Sequence, residues 1–228
     1  MVTLKSPQKA VSIIVPLLNE SAVVPALILH LDSLDAEQVV IVDGGSKDNT
    51  VELLEQAGFQ VVVSSAGRAT QMNVGAQHAT QGLLLFLHAD SRLPPNYKAE
   101  LTKVDAWGRF DVQFDQPSRA MSVIAFCMNW RSRLTGVATG DQAIFVDSGV
   151  FESMQGFPEM PIMEDVALCK RLRHLHAPFC SKAKVVTSAR RWQQHGIVKT
   201  VLTMWCYRLI FFLGVPPDRI KKGYDDVR

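Results

Sequence analysis

The sequence has little of what marks several large protein classes. Its four cysteines (Cys127, Cys169, Cys180 and Cys206) lie far apart with no C-x-x-C pair. That spacing argues against a zinc site and a disulfide framework, and fits a reducing, cytoplasmic compartment. No uninterrupted apolar stretch reaches the roughly 18 residues of a membrane span, and no apolar run of the kind an export signal requires follows Lys5 and Lys9. The chain therefore reads as neither exported nor clearly membrane-spanning. An excess of one charge is also missing: 24 Lys and Arg face 22 Asp and Glu, for a net charge of +2. This is too even for a nucleic-acid binder, which would show a concentrated basic stripe, so no nucleic-acid partner is expected. There is no internal repeat and no low-complexity segment.

Three motifs are absent as well. A dinucleotide-dependent oxidoreductase needs G-x-G-x-x-G after its first strand, where this chain has Pro16-Leu17-Leu18-Asn19-Glu20. Asp43-Gly44-Gly45-Ser46 has Gly45 where an aspartyl-nucleophile phosphatase carries its second Asp. The Gly- and Arg-rich loop of a sugar-nucleotide pyrophosphorylase is not present either.

What is there is a regular alternation of strand and helix patterns. With 228 residues and 47% hydrophobic content, the chain can bury one sizeable core, so a single α/β domain over 1–228 is expected. Strand patterns occur at Val11 to Val15, Val39 to Asp43, Phe59 to Ser64 and Leu83 to His88. Between them lie helical patterns: one from Asn19-Glu20-Ser21, which offers caps, to Leu34; one capped by Ser46 or Asp48 and ending at Gly58; and one from Arg68 to Thr80. This rhythm implies right-handed crossovers and a mainly parallel sheet flanked by helices. Further on come a helix near Asn96 to Val104, a strand from Arg109 to Phe114 and a helix from Ser118 to about Leu134. A strand follows from Ala143 to Val146, and a helix starts at Glu164-Asp165. The tail, about 195–215, is an apolar helix.

Carboxylates stand where such a sheet gathers ligands. The run Leu83-Leu84-Leu85-Phe86-Leu87 suits a strand buried on both faces, and it delivers His88-Ala89-Asp90 to the crevice at the carboxyl ends of the strands. Asp90 is either a turn-initiating residue or a ligand for Mg²⁺ or Mn²⁺, with phosphate oxygens completing the shell. His88 is either a second ligand or a hydrogen-bonded strand-end histidine. Asp43, followed by Gly44-Gly45-Ser46, either caps a helix or lies in a nucleotide pocket. Glu164-Asp165 either complements a helix dipole or takes part in chemistry. Arg190-Arg191-Trp192 either flanks the site or packs at the surface, and His195 is either a ligand or solvated.

Together these segments resemble the family-2 glycosyltransferases of the GT-A fold. The resemblance rests on Val11 to Pro16 with Asn19-Glu20, on Val42 to Thr50, on Asp90 and on Glu164-Asp165. Within the family, Gly67 to Asn73, Leu87 to Asp90, Gly140-Asp141-Gln142 and Arg190-Arg191-Trp192 resemble a small bacterial branch grouped with arsenosugar-type biosynthesis proteins. The resemblance implies an inverting transfer of a sugar from a nucleoside diphosphate, UDP rather than GDP, to an acceptor hydroxyl that the sequence does not identify. It places Pro16, Asn19, Glu20 and Asp43 around the nucleotide, with Asp43 at the base, and Arg68 near the phosphates. Asp141, Gln142 and Arg191 join this donor-binding set. Asp90 would hold a divalent ion, Mn²⁺ or Mg²⁺, together with His88, which replaces the first Asp of the family's D-x-D motif. Glu164 and Asp165 form the catalytic pair, Asp165 being the general base. The alternative is a degenerate fold that binds nucleotide-sugar or a partner without transfer. The apolar tail, with Lys199, Arg208, Arg219, Lys221 and Lys222 around it, either packs on the domain or a second subunit, or lies peripherally at a membrane face.

Overall fold

The computed structural model describes residues 10–225, without the side chains of Arg191, Gln194, His195 and residues 222–225. Its strands are β1 (Val11–Leu17), β2 (Gln38–Asp43), β3 (Val61–Val63), β4 (Leu83–Phe86), β5 (Ser91–Arg92), β6 (Trp107–Phe114), β7 (Phe145–Asp147) and β8 (Phe179–Thr187). Its helices are α1 (Val24–Asp32), α2 (Thr50–Gln56), α3 (Arg68–Gln77), α4 (Tyr97–Leu101), α5 (Arg119–Thr135), α6 (Ser148–Ser153), α7 (Glu164–Leu175), α8 (Arg190–His195), α9 (Ile197–Phe212) and α10 (Pro217–Asp225).

The strands form one sheet in the order β3-β2-β1-β4-β7-β6-β8-β5. The first four run parallel, joined by α1, α2 and α3 as the alternation predicts. Beyond β4 the sheet is mixed: β7 runs against both β4 and β6, β8 runs with β6, and β5 runs against β8. The expectation of a mainly parallel sheet thus holds, with the antiparallel pairings confined to the half beyond β4.

Burial follows the period of two that a strand imposes. Val11, Ile13, Val15 and Leu17 face one layer with Val24, Leu27, Leu31 and Leu54, while Ile14 faces the other with Met72, Phe86, Phe157 and Leu168. Leu83 through Leu87 are all buried, as a strand covered on both faces requires. The α5 helix begins at Ser118, whose hydroxyl accepts from Met121 N. It is pinned to the sheet by Asn129, whose amide donates to Val112 O at 2.9 Å and accepts from Val112 N at 2.8 Å. Beside it, buried Arg109 and partly buried Arg133 both bond the carboxylate of Asp111.

Two expected caps are not used. Asn19 adopts φ 53° and α1 starts only at Val24, with no side-chain cap. The α2 helix has Asn49 at its N-cap position, while Asp48 instead accepts from Ser21 N and Thr50 N. The apolar tail is the single helix α9, parted from α8 at Gly196, whose φ of 78° and ψ of 147° no L side chain adopts readily.

Candidate functional site

The loops after β1 and β2 are laced together at the carboxyl end of the sheet. Asn19 N donates to Ser46 Oγ at 2.7 Å, Lys47 N donates to Asn19 Oδ1 at 2.8 Å, and Glu20 N donates to Thr50 Oγ1 at 2.8 Å. Asp43 is the keystone. Its Oδ2 accepts from both Gly45 N and Ser46 N at 2.8 Å, and its Oδ1 accepts from the Ser46 hydroxyl. Asp43 is 2% exposed and shapes the turn ahead of α2 without capping the helix itself. Three of its roughly four lone-pair positions are taken. The Thr50 hydroxyl and Ser21 hold Asp48 down at about 2, keeping this loop pair ionised and fixed. Pro16 lies in β1 opposite Val42, and Arg190 Nη2 approaches Glu20 Oε2 at 3.8 Å, so the start of α8 borders the same crevice. Trp192 turns away and packs edge-on against Phe114. The side chains of Arg191 and His195 lie outside the described residues.

A second cluster lies where β4, the turn Gly140–Gln142 and α7 meet. His88, Gly140, Glu164 and Asp165 line a cavity of about 10 Å³ together with Met72, Phe86, Ile144 and Phe157. That is room for about one water. Asp165 Oδ2 accepts from Gly140 N at 2.8 Å and Oδ1 from Val166 N at 2.7 Å, so the carboxylate is aimed by two backbone donors. Glu164, 6% exposed, has its pKa raised, first by burial and second by the negative charge of Asp165; Arg68 and His88 pull it the other way. Arg68, at the first position of α3, is thus electrically part of this cluster.

The His88 ring stands between two partners. Its Nδ1 is 3.4 Å from Asp141 Oδ1. Its other edge lies flat against Gly140, where a Cβ would come within 2.2 Å of Nε2. Only glycine permits that approach. Among the described residues no three His, Cys, Asp or Glu side chains form a cage for a metal ion. Of the expected metal donors, His88 is drawn to Asp141, while Asp90 stands in the turn after β4 with its Oδ1 3.4 Å from Ser91 Oγ. A carboxylate such as Asp90 has the chemistry for a hard divalent ion whose other positions go to phosphate oxygens.

One expected donor contact is corrected. Gln142 is fully buried: its Nε2 donates to Ser132 Oγ at 3.1 Å, and its Oε1 accepts from Thr139 N at 3.4 Å. It anchors the turn that carries Asp141 and faces no ligand. Two residues in Gly67 to Asn73 have roles that the sequence reading did not assign. Gln71 Nε2 donates to Leu17 O at 2.6 Å and Val42 O at 2.9 Å, tying β1 to β2 just below the crevice. Asn73 clasps the backbone of Phe157, donating to its carbonyl at 2.9 Å and accepting from its N–H at 2.8 Å. The signal for both was polar side chains in the interior of an otherwise core-facing helix.

Residues 12–128, just over half of the chain, match the family described as Glycosyl transferase family 2. The chain belongs to this family. An undecaprenyl-phosphate 4-deoxy-4-formamido-L-arabinose transferase of Yersinia pestis is 30% identical over an alignment of 123 residues that covers 48% of this chain and 37% of that protein. The chain thus spans little more than a third of the curated relatives it matches. Among solved structures, a mannosyltransferase from Pyrobaculum calidifontis, in complex with GDP-Man and Mn²⁺, superposes with a TM-score of 0.63 at 16% identity, covering 84% of this chain and 62% of that one. TarS of S. aureus, in complex with UDP-GlcNAc, gives 0.60 at 19% identity over 78% of this chain and 58% of that one. Glucosyl-3-phosphoglycerate synthase of Mycobacterium tuberculosis, with Mg²⁺ and UDP, gives 0.56 at 14% identity over 78% of this chain and 70% of that one. At these identities the likeness establishes the GT-A fold of the family-2 glycosyltransferases. No helix among the described residues is long and apolar enough to cross a membrane.

Proposed function

We propose that the protein is an inverting glycosyltransferase that moves a sugar from a nucleoside diphosphate, UDP in preference to GDP, to an acceptor hydroxyl, with Asp165 as general base. The observation that carries this reading is the single cavity into which His88, Glu164 and Asp165 open beside the laced β1 and β2 loops. Asn19, Glu20 and Asp43 hold the nucleotide end, with Arg68 toward the diphosphate. Asp165, held by Gly140 N and Val166 N, accepts the proton of the acceptor hydroxyl as the new bond to the anomeric carbon forms. Breaking the bond to the diphosphate leaves negative charge on the leaving group, and attack from the opposite face inverts the anomeric centre. Asp90, with His88, would hold a Mn²⁺ or Mg²⁺ ion, which when bound supplies positive charge to the departing diphosphate. Glu164, pushed toward its neutral form, lessens the repulsion between the base and that diphosphate. The stretches Gly67 to Asn73 and Leu87 to Asp90 support membership of the arsenosugar-type branch. Four free thiols, two of them exposed, support a cytoplasmic location.

The test is Asp165→Asn, assayed against a panel of nucleotide sugars with Mn²⁺. Turnover should fall by roughly 10²–10⁴-fold while donor binding survives, the usual loss for a general base. Transfer at the parent rate in this variant would refute the assignment. A parent protein that binds donor but neither transfers nor hydrolyses it would favour the non-catalytic alternative.

A further inference from the structure

A chain of buried hydrogen bonds runs from the sheet to the turn that aims Asp165, and the reaction proposed above gives it no part. It starts on α5, where the Asn129 amide is fixed to both backbone groups of Val112 in β6. The Asn129 carbonyl accepts from the Ser132 hydroxyl at 2.9 Å, with Arg109 Nη2 beside it at 3.1 Å. With its hydrogen committed there, the Ser132 oxygen is left as an acceptor. Gln142 Nε2 donates to it at 3.1 Å and to Asn129 Oδ1 at 3.4 Å. The other end of the Gln142 amide, Oε1, accepts from Thr139 N at 3.4 Å, while Gln142 N donates to Thr139 O at 2.9 Å. Gly140 lies inside that bracket, and its N–H leaves the turn for Asp165 Oδ2, 2.8 Å away.

Packing alone does not call for this chain. Asn129, Ser132, Thr139 and Gln142 are all buried, and apolar side chains of the same shapes would fill the space at little cost in stability. What hydrogen bonds supply, and apolar contact does not, is direction. The turn needs it. Ala143 closes the turn at φ 43°, a left-handed conformation that a residue with a side chain holds only where its surroundings over-determine it. Those surroundings include the Gln142 amide and the Ala143 N–H, which donates to Gly140 O at 3.1 Å. A turn free to rock would swing Gly140 N, one of the two backbone donors that hold the Asp165 carboxylate.

We infer that Gln142, backed by Ser132 and Asn129, is a positioning residue that holds Gly140 N on Asp165 and so keeps the carboxylate aimed at the acceptor hydroxyl. The inference rests on the reading of Asp165 as general base.

Two variants test it. Gln142→Met keeps the volume and removes the amide; Ser132→Ala deletes one hydroxyl and serves if Gln142→Met does not fold. The first measurement is hydrogen exchange at the Gly140 amide by NMR, which reads the geometry without any substrate. Exchange at Gly140 should quicken at least about tenfold relative to the amide of Leu85, in the middle of the sheet. The second is steady-state turnover with Mn²⁺ on the nucleotide sugar that the parent uses best. Here kcat per folded molecule should fall about tenfold, the scale of a misplacement of roughly 0.5 Å, with KM for the donor unchanged. A purely structural role would lower the folded fraction and leave that kcat alone. Added to Asp165→Asn, either change should cost nothing further, because the group it aims is already gone. Exchange at Gly140 that matches the parent in both variants overturns the inference, and so does a loss of turnover that multiplies with that of a slow Asp165→Asn, which leaves the base assignment standing. Asp165→Asn at the parent rate, or a parent that turns over no donor, refutes the base assignment and the inference with it.

Discussion

Replacing Gly140 by alanine should damage the site more than any other single methyl group. The added Cβ would lie 2.2 Å from His88 Nε2 and 2.3 Å from Cε1, whereas non-bonded carbon contacts settle near 3.5–4.0 Å. The ring or the turn must therefore move by about 1.3 Å. If the ring moves, it leaves Asp141, 3.4 Å from its Nδ1; if the turn moves, Gly140 N leaves Asp165 Oδ2, now 2.8 Å away. Overpacking costs roughly 1–3 kcal/mol, and a loosened hydrogen bond to a carboxylate comparably much. A loss of about 2 kcal/mol lowers Tm by roughly 4–8 °C in a domain of this size. Because the same step displaces the base by about 1 Å, turnover should fall on the order of 10²-fold. Gly82→Ala is the control, since a Cβ there meets nothing within 4 Å. Scanning fluorimetry and a donor-turnover assay on the two variants decide the matter. If Gly140→Ala matches Gly82→Ala in both, the packing of His88 on this turn does not position the base.

Glu164→Gln should raise Tm while lowering activity, a trade expected where a buried carboxylate is kept for function. With its folded pKa raised above 4.5, Glu164 supports the fold in acid and that support fades as pH rises through the folded value. The gain in Tm should therefore grow from acid to neutral pH, and a gain constant with pH would refute the cause. His30 works the other way. Burial, then the charge of Arg92, lowers its pKa from 6.5, and its Nε2 accepts from Leu93 N at 2.9 Å, which requires the neutral ring. Stability should be intact above 6.5 and decline as pH falls through the lower folded value, and His30→Gln should flatten that part of the Tm profile.

Much of the fold was legible because the first half of the sheet is built from local crossovers. The runs at β1, β2 and β4 are short, apolar and punctuated, and Ser118 and Glu164 mark true helix starts. What stayed hidden depends on partners distant in sequence. The β8 strand, with Lys182 and Lys184 exposed or half-exposed along it, has no clean apolar run, and it becomes a strand only by pairing with β6 and β5. The reversed direction of β7 is likewise a property of its neighbours. Within the site, Asp43, Glu164 and Asp165 were visible as carboxylates at strand and helix ends. Gln142 was placed with the donor because it belongs to the Gly140-Asp141-Gln142 stretch that carries the family resemblance, and the partners that bury it, Ser132 and Asn129, are on α5. Asn19 and Asp48 looked like helix caps, but each bonds across to the other loop instead.

The clasp between Asn73 and Phe157 gives α3 a mechanical role. Arg68 sits at one end of this helix and Asn73 five residues along it, a distance of about 7.5 Å on a rod stiff along its axis. If the donor diphosphate engages Arg68 as proposed, a pull on that residue would reach Phe157 and the chain leading to Glu164 through the clasp. Donor arrival and the placing of Glu164 would then be two ends of one lever.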